Sequence, residues 1–380
     1  MVQRILHCNN DNKNMGGAYI FERLLENKIR KYGYIFDWIT MDEFIDTGDI
    51  QRDICPDSRT YSAKLRKNRF LGHIKLINYV HTVVKQNRYK IVHLDIDSAW
   101  KGLLYAIPSK IAGARVVVHS HAAGVDGDCR ALKKMLHLIS CGLLSLLADS
   151  KIACSNKAKK WMFPGRNGKD VHIIFDGINL EKKRFDCTER KQTRHRLGIG
   201  DNEILLGNIG TLCENKNQKF LVEILKKIVE QGIDAKMIFV GDSYLNYGDK
   251  LKKYVSNYGL EKRVIFYGYT NDTNMLLNAM DFFLFPSKSE GLGMSLIEAQ
   301  ATGLDCIASS SIPGETKISS WVYYEDNDDA EKWCDKIIKI NERRSIRELR
   351  KVDKKYGIEF SAKQMADIYY SLLYKNSKEQ

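Results

Sequence analysis

Two glutamates eight positions apart, Glu290 and Glu298, flank a glycine-containing turn in the stretch PSKSEGLGMSLIEAQATG, residues 286 to 303. The preceding DFFLFPS is an apolar run that reads as a buried strand, and GMSLIEAQAT reads as a helix opening near Gly293. Glycines at 291 and 293 let backbone amides approach a ligand, and a helix N-terminus favours an anion. Carboxylates are good acceptors for hydroxyl groups. One acid before the turn and another more than one turn inside the helix therefore offer contacts to a hydroxyl, a phosphate and a second hydroxyl. A nucleotide sugar has that layout: donor sugar, diphosphate, ribose. A glycoside hydrolase also pairs carboxylates, but it has no need of a phosphate-type loop beside them.

Two other short stretches fit the same chemistry. LLGNIGTLCENKN carries Lys216 beyond a strand ending near Gly210, on the side of an α/β sheet where ligands usually sit. A lysine there can act as a point charge against a phosphate; read alone, it is equally an ordinary surface lysine ahead of a helix. NMGGAYIFERLL, with Gly16 and Gly17, follows the first strand and opens the first helix, so it can present amides to a phosphate. It is neither Gly-x-Gly-x-x-Gly nor a Walker loop, and Gly-Gly also serves as plain turn punctuation.

These residues need a scaffold of alternating strands and helices. In the first half, RILHC, YIFDWI, KIVHLD, RVVVHSH, KIACS and VHIIF are strand-like runs, separated by helical patterns and by a basic stretch read as helical. Such alternation implies a parallel sheet covered on both faces. A second series, EILLGNIG, KMIFVGD, RVIFYG, DFFLFPS and LDCIASS, begins after a polar, charged stretch, residues 181 to 202. The expected architecture is α/β, with two Rossmann-like doubly wound domains, residues 1–185 and 186–356. The tail FSAKQMADIYYSLLYKN has apolar residues at helical spacing, and residues 357–380 are expected to form a helix returning to the first domain.

Length and composition agree with that division. The 380 residues exceed what one core usually serves. Sixty Lys and Arg against forty-seven Asp and Glu give a net charge of +13, which favours anionic partners. Residues 59 to 90 hold nine Lys and Arg and no acid, a solvated basic face or an interaction surface. Nucleic acid is not expected as a partner, because interleaved aromatic platforms and a recognised binding module are lacking. The nine cysteines form no Cys-x-x-Cys, which argues for a reduced chain without structural zinc. The start of the chain has no apolar signal core, and no run reaches the roughly 20 apolar residues that span a bilayer. A cytoplasmic protein is expected, with membrane contact confined to the inner face of the cell membrane. The basic side chains Lys64, Arg66, Lys67 and Arg69 and the helix RALKKMLHLISCGLLSLLAD are the candidates for that contact. The same helix also reads as a core helix covering the first sheet.

The stretch 286 to 303 resembles the Glu-x7-Glu signature of retaining family 4 glycosyltransferases with the GT-B fold. GNIGTLCENKN, FVGDS, RVIFYGYTND, DFFLFPS and SIPGE follow in that family's order. NMGGAYIFERL, VVVHSHAAG and IIFDGINLEKKRF match its N-terminal landmarks, so nearly the whole chain is covered. The variety with HSHA and SIPGE resembles enzymes of capsular and exopolysaccharide assembly.

The resemblance implies two domains facing across a cleft, with a UDP-sugar as the foremost donor and a glycan or lipid-linked sugar as acceptor. It also implies retention of anomeric configuration without a bound metal or cofactor. By position, Glu298 would bind the ribose hydroxyls and Glu290 the donor-sugar hydroxyls. Gly291, Leu292, Gly293, Met294 and Ser295 would contact sugar and diphosphate through their amides, and Lys216 would bind the diphosphate. Gly16 and Gly17 would close over the phosphates, and His121, rather than His119, would lie near donor and acceptor. Two positions depart from the family. Thr211 stands where a phosphate-clamping arginine is usual, and Asp305 where proline is usual. Thr211 motivates an alternative reading, in which the chain is a catalytically weakened GT-B partner that stabilises an active transferase.

Overall fold

The computed structural model describes residues 2–8, 16–40, 55–63, 69–124, 130–327, 329–343, 347 and 352–374. Asn14 and Met15 of the first glycine turn lie outside them, as do Lys64, Arg66 and Lys67 and the side chain of Arg69. The chain divides into two compact units, Met1–Ile178 with Lys354–Gln380, and Asn179–Asp353.

The first unit is built on strands β1 (Gln3–Cys8), β2 (Tyr34–Thr40), β3 (Thr60–Ser62), β4 (Ile91–Ile96), β5 (Arg115–Ser120), β6 (Ser150–Ala153) and β7 (Val171–Ile173). They form one parallel sheet in the order β3-β2-β1-β4-β5-β6-β7. Helices α1 (Gly17–Ile29), α2 (Arg69–Asn87), α3 (Ala99–Ile111), α4 (Arg130–Leu147) and α5 (Asn156–Met162) join the strands. All six residues of IVHLDI are buried, as expected where helices cover both faces of a parallel sheet. The basic stretch is not wholly helical. Its beginning forms the edge strand β3, whose three residues Thr-Tyr-Ser carry no apolar alternation and are held by pairing with β2.

The second unit contains α6 (Cys187–Arg196), β8 (Ile204–Ile209), α7 (Gln218–Glu230), β9 (Ala235–Val240), α8 (Tyr247–Asn257), β10 (Val264–Gly268), α9 (Asn274–Ala279), β11 (Phe282–Phe285), α10 (Met294–Ala301), β12 (Asp305–Ser309), β13 (Val322–Glu325) and α11 (Ala330–Glu342). Its sheet is also parallel, in the order β10-β9-β8-β11-β12-β13. The run Phe-Phe-Leu-Phe of β11 is wholly buried. Phe282 and Leu284 join one core layer, and Phe283 and Phe285 join the other.

The polar, charged stretch at 181 to 202 contains α6. Asp186 caps this helix by accepting from the amides of Thr188 and Glu189. Arg190 and Arg194, one turn apart, both reach the buried carboxylate of Asp281. No apolar stripe marks this helix in the sequence, since guanidinium groups do the docking.

The C-terminal helix α12 (Ile358–Tyr374) packs on α1. The Ile178 amide donates to Tyr356 O, the Ile358 amide to Ile178 O, and Ser361 Oγ to Phe175 O, each at 2.9 Å. Inside this contact the Tyr369 hydroxyl lies 2.8 Å from His93 Nδ1.

Candidate functional site

The strand order of the second unit reverses between β8 and β11, with β9 and β10 on one side and β12 and β13 on the other. Open α/β sheets bind ligands outside the carboxyl ends of the strands at such a switch point. Lys216 follows β8 and Glu290 follows β11, so chain topology alone brings the two to neighbouring loops. Lys216 Nζ lies 2.6 Å from Glu290 Oε1.

The loops that carry this pair are laced together. Asn215 Nδ2 donates to Ser289 O, and the Lys288 amide donates to Asn215 O, both at 2.8 Å. Asn327 Nδ2 donates to Pro286 O at 2.7 Å, and Ser311 Oγ lies within 3.1 Å of Ser287 O and Lys288 O. The carbonyls of four consecutive residues before Glu290 are thus held by side chains from three other loops. The stem of Lys216 passes alongside Gly210, where an added Cβ would sit 3.4 Å from Lys216 Cε.

Gly293, at φ +93°, is the N-cap of α10. Only glycine adopts this conformation at little cost, and a Cβ there would stand 3.2 Å from both Phe285 and Thr316. The first amides of a helix have no partner within the helix, so α10 opens with donors beside Lys216 and Glu290. Leu292 and Met294 are buried, while Gly293 and Ser295 are half-buried. Glu298, in the second turn of α10, accepts from Thr273 Oγ1 at 3.2 Å and pairs with Lys183 Nζ at 3.3 Å. Lys183 also donates to Thr273 Oγ1 at 2.5 Å. Sequence reasoning missed Lys183 and Thr273. They are 90 positions apart, and the lysine sits inside a charged stretch that looks like solvated surface.

Thr211 is exposed and its carbonyl accepts from Gln218 Nε2 at 3.1 Å. Asp305 opens β12, paired with Phe282 of β11. In the first unit, Gly16 caps α1 in an extended conformation, with its carbonyl accepting from the Ile20 amide, and Gly17 is exposed.

His121, just beyond β5, has both ring nitrogens engaged. Nδ1 lies 3.0 Å from Asp176 Oδ1; Nε2 lies 3.4 Å from Asp95 Oδ1 and 3.7 Å from Glu22 Oε1. Burial pulls its pKa down, but the carboxylates of Asp176 and Asp95 outweigh that and hold it well above the ordinary value. His119 is driven the other way, first by burial and then by its imidazole neighbours. Without an ion, the carboxylates thus favour the protonated form of His121, and burial favours the neutral form of His119. Strand register builds this cluster: His7 of β1 pairs with His93 of β4, and Asp95 of β4 with His119 of β5.

Residues 189–360 match the family model described as glycosyl transferases group 1. Over 251 residues the chain is 28% identical to the UDP-Gal:alpha-D-GlcNAc-diphosphoundecaprenol alpha-1,3-galactosyltransferase of Escherichia coli, covering 64% of either chain. It is 26% identical to EpsF of Bacillus subtilis (strain 168), provisionally a glycosyltransferase, over 82% of this chain and 80% of that one. It is 30% identical to the capsular polysaccharide biosynthesis glycosyltransferase CapH of Staphylococcus aureus, over 52% of this chain and 50% of that one. Among solved structures, Anabaena HepE in complex with UDP and glucose superposes with a TM-score of 0.74 at 18% identity, covering 99% of this chain and 98% of that one. Sucrose-phosphate synthase of Thermosynechococcus elongatus superposes with a TM-score of 0.79 at 20% identity, covering 97% and 99%. The fold is GT-B, its residues 189–360 match the glycosyl transferases group 1 model, and the chain is similar to glycosyltransferases named for capsular polysaccharide biosynthesis.

Proposed function

We propose that the protein transfers a sugar, with retention of anomeric configuration, from a UDP-sugar to a hydroxyl of a glycan or lipid-linked acceptor in surface polysaccharide assembly. The observation that carries this reading is the Lys216–Glu290 pair at the switch point, beside the opening amides of α10 and within reach of Glu298 on the same helix. A cation and amides suit a diphosphate, and an acid on either side suits sugar and ribose hydroxyls. The Escherichia coli relative is named for a UDP-sugar donor and a diphosphoundecaprenol-linked acceptor, which supports that choice of substrates.

In this reaction the acceptor oxygen bonds to the anomeric carbon as its bond to the diphosphate breaks, and the acceptor proton passes to the leaving phosphate. Lys216 and the α10 amides stabilise the charge that grows there. With both nitrogens held by carboxylates, His121 takes no proton. Lys216 fills the place a divalent ion would take, so activity should need no added Mg2+ or Mn2+; a strict requirement for either would contradict this. Incubation with a panel of UDP-, GDP- and ADP-sugars, read by mass spectrometry, tests the donor assignment. Release of UDP from a UDP-sugar supports it; binding without turnover of any donor would favour the weakened-partner alternative that Thr211 raises.

Lys183 and Thr273 occupy one oxygen of Glu298 and leave the other for a ribose hydroxyl. Lys183→Met should therefore raise the donor KM by about tenfold, the scale of a charge-assisted hydrogen bond, with kcat little changed. Lys183→Arg should recover part of the loss, and an equal fall in kcat would count against this role.

The acceptor is proposed to reside at an acidic membrane face. Helix α4 buries His137, Cys141 and Leu144 against its own unit but exposes Leu132, Met135, Leu138, Ile139, Leu143 and Leu146, with Ile139 at 72% and Leu146 at 81%. Among the described residues, no helix is long and apolar enough to cross a membrane. An amphipathic helix with lysines at its start suits the interface instead. Ile139→Glu with Leu146→Glu should abolish flotation with phosphatidylglycerol-containing liposomes, and flotation equal to that of the wild type would end the assignment.

A further inference from the structure

The buried cluster of the first unit holds more than is needed to fix His121. Glu22 of α1, Asp95 of β4, His119 of β5 and His121 each bring one ligand-type atom within 4.8 Å of the others. The contacts among them are long for charge-assisted hydrogen bonds, which run at about 2.7–2.9 Å. His121 Nε2 is 3.4 Å from Asp95 Oδ1 and 3.7 Å from Glu22 Oε1, and His119 Nδ1 is 3.9 Å from Asp95 Oδ1. Four ligands around an ion at about 2.1 Å form a tetrahedron with edges of about 3.4 Å. The three spacings run from that edge to about half an ångström beyond it, and an ion would draw the four atoms together.

A second observation points the same way. Glu22 Oε1, in a side chain with no exposure, lacks a hydrogen-bond partner, whereas Oε2 pairs with His7 Nδ1 at 3.2 Å. Leaving such an atom unmatched in a protein interior is costly.

The groups behind the four also fit. Asp176 Oδ1 receives His121 Nδ1 at 3.0 Å, which directs Nε2 inward. His7 Nδ1 lies 2.9 Å from Asp95 Oδ2 and 3.2 Å from Glu22 Oε2. A carboxylate behind a ligating imidazole, and hydrogen-bonded ligating carboxylates, are the usual surroundings of a protein metal site.

We propose that Glu22, Asp95, His119 and His121 bind one transition-metal ion of the zinc type, for which two imidazoles and two carboxylates are suitable donors. Binding displaces the proton of His121 Nε2 to solvent, and the ion ties α1 to β4 and β5 within the first unit. Its four ligands belong to the first unit, and Lys216 and Glu290 to the second.

The test uses the full chain made without a polyhistidine tag and purified without chelator. Elemental analysis should find one zinc-type ion per chain. After refolding in cobalt, the protein should show the visible absorption of four-coordinate Co2+, at one equivalent. Glu22→Gln should remove that signal, Asp176→Asn should weaken binding by about 10-fold to 100-fold, and replacement of the exposed His195 by Asn should change neither. Absence of stoichiometric metal by both routes would overturn the site and leave a bare ion-pair network. Metal binding by Glu22→Gln equal to wild type would overturn it too. If that variant fails to fold, the wild-type stoichiometry and cobalt spectrum still decide. None of these readouts is transferase activity, so the site and the proposed reaction can fail separately.

Discussion

Replacing Lys216 with Ala should lower kcat by about 100-fold to 1000-fold, the usual consequence of removing one donor that stabilises charge in the transition state. Lys216 is held by its ion pair with Glu290 at 2.6 Å and by the passage of its stem beside Gly210. Such a group is set in place before the reaction, so its charge acts without reorganisation. Its loss should depress kcat and kcat/KM together, because the leaving diphosphate carries more charge at the transition state than in the bound donor. Steady-state kinetics with the donor found by the mass-spectrometric panel measures this. A fall of less than about fivefold would show that the charge is met elsewhere.

The largest expected effect on stability lies at Asp281, just before β11. Its carboxylate accepts from Arg190 Nη2 at 2.5 Å, Arg194 Nη1 at 2.9 Å and the Leu205 amide at 2.7 Å. Asp281→Ala leaves a buried guanidinium at Arg194 and a second one at Arg190 without their common counter-charge. Breaking a buried pair from one side typically costs about 3–5 kcal/mol. The denaturation midpoint of the second unit should fall accordingly, and Asp281→Asn, which retains an acceptor for the Leu205 amide, should lie between. A loss below about 1 kcal/mol would mean that α6 contributes little to holding β8 and β11 together.

The contrast between these two residues shows what the sequence discloses. Strand β11 is legible as a continuous apolar run, and β4, β5 and β8 as short runs rich in Ile, Leu and Val, as suits parallel strands covered on both faces. The two parallel sheets of the GT-B fold follow from that alternation. Strand β3 and helix α6 are not legible. The first is three residues of an edge, held by pairing alone, and the second docks through two arginines onto an aspartate almost ninety positions away.

The candidate site divides in the same way. Glu290, Lys216 and the glycines between the acids stand out because backbone access and charge at a helix start have a local sequence pattern. The Lys183–Thr273–Glu298 contact and the convergence of Glu22, Asp95, His119 and His121 depend on tertiary register, which no spacing in one stretch reveals. The period-two pairs His93/Asp95 and His119/His121 show which side chains share a sheet face. Only the pairing of Asp95 with His119 shows that the two pairs meet.

The central claim is that Lys216 binds the diphosphate while Glu298 binds the ribose. Isothermal titration of uridine and of UDP into wild type, Lys216→Ala and Glu298→Gln separates the two contacts directly. The account predicts that Lys216→Ala weakens UDP but not uridine, and that Glu298→Gln weakens both. Unchanged UDP affinity in Lys216→Ala, or an equal loss for uridine and UDP in that variant, would contradict it.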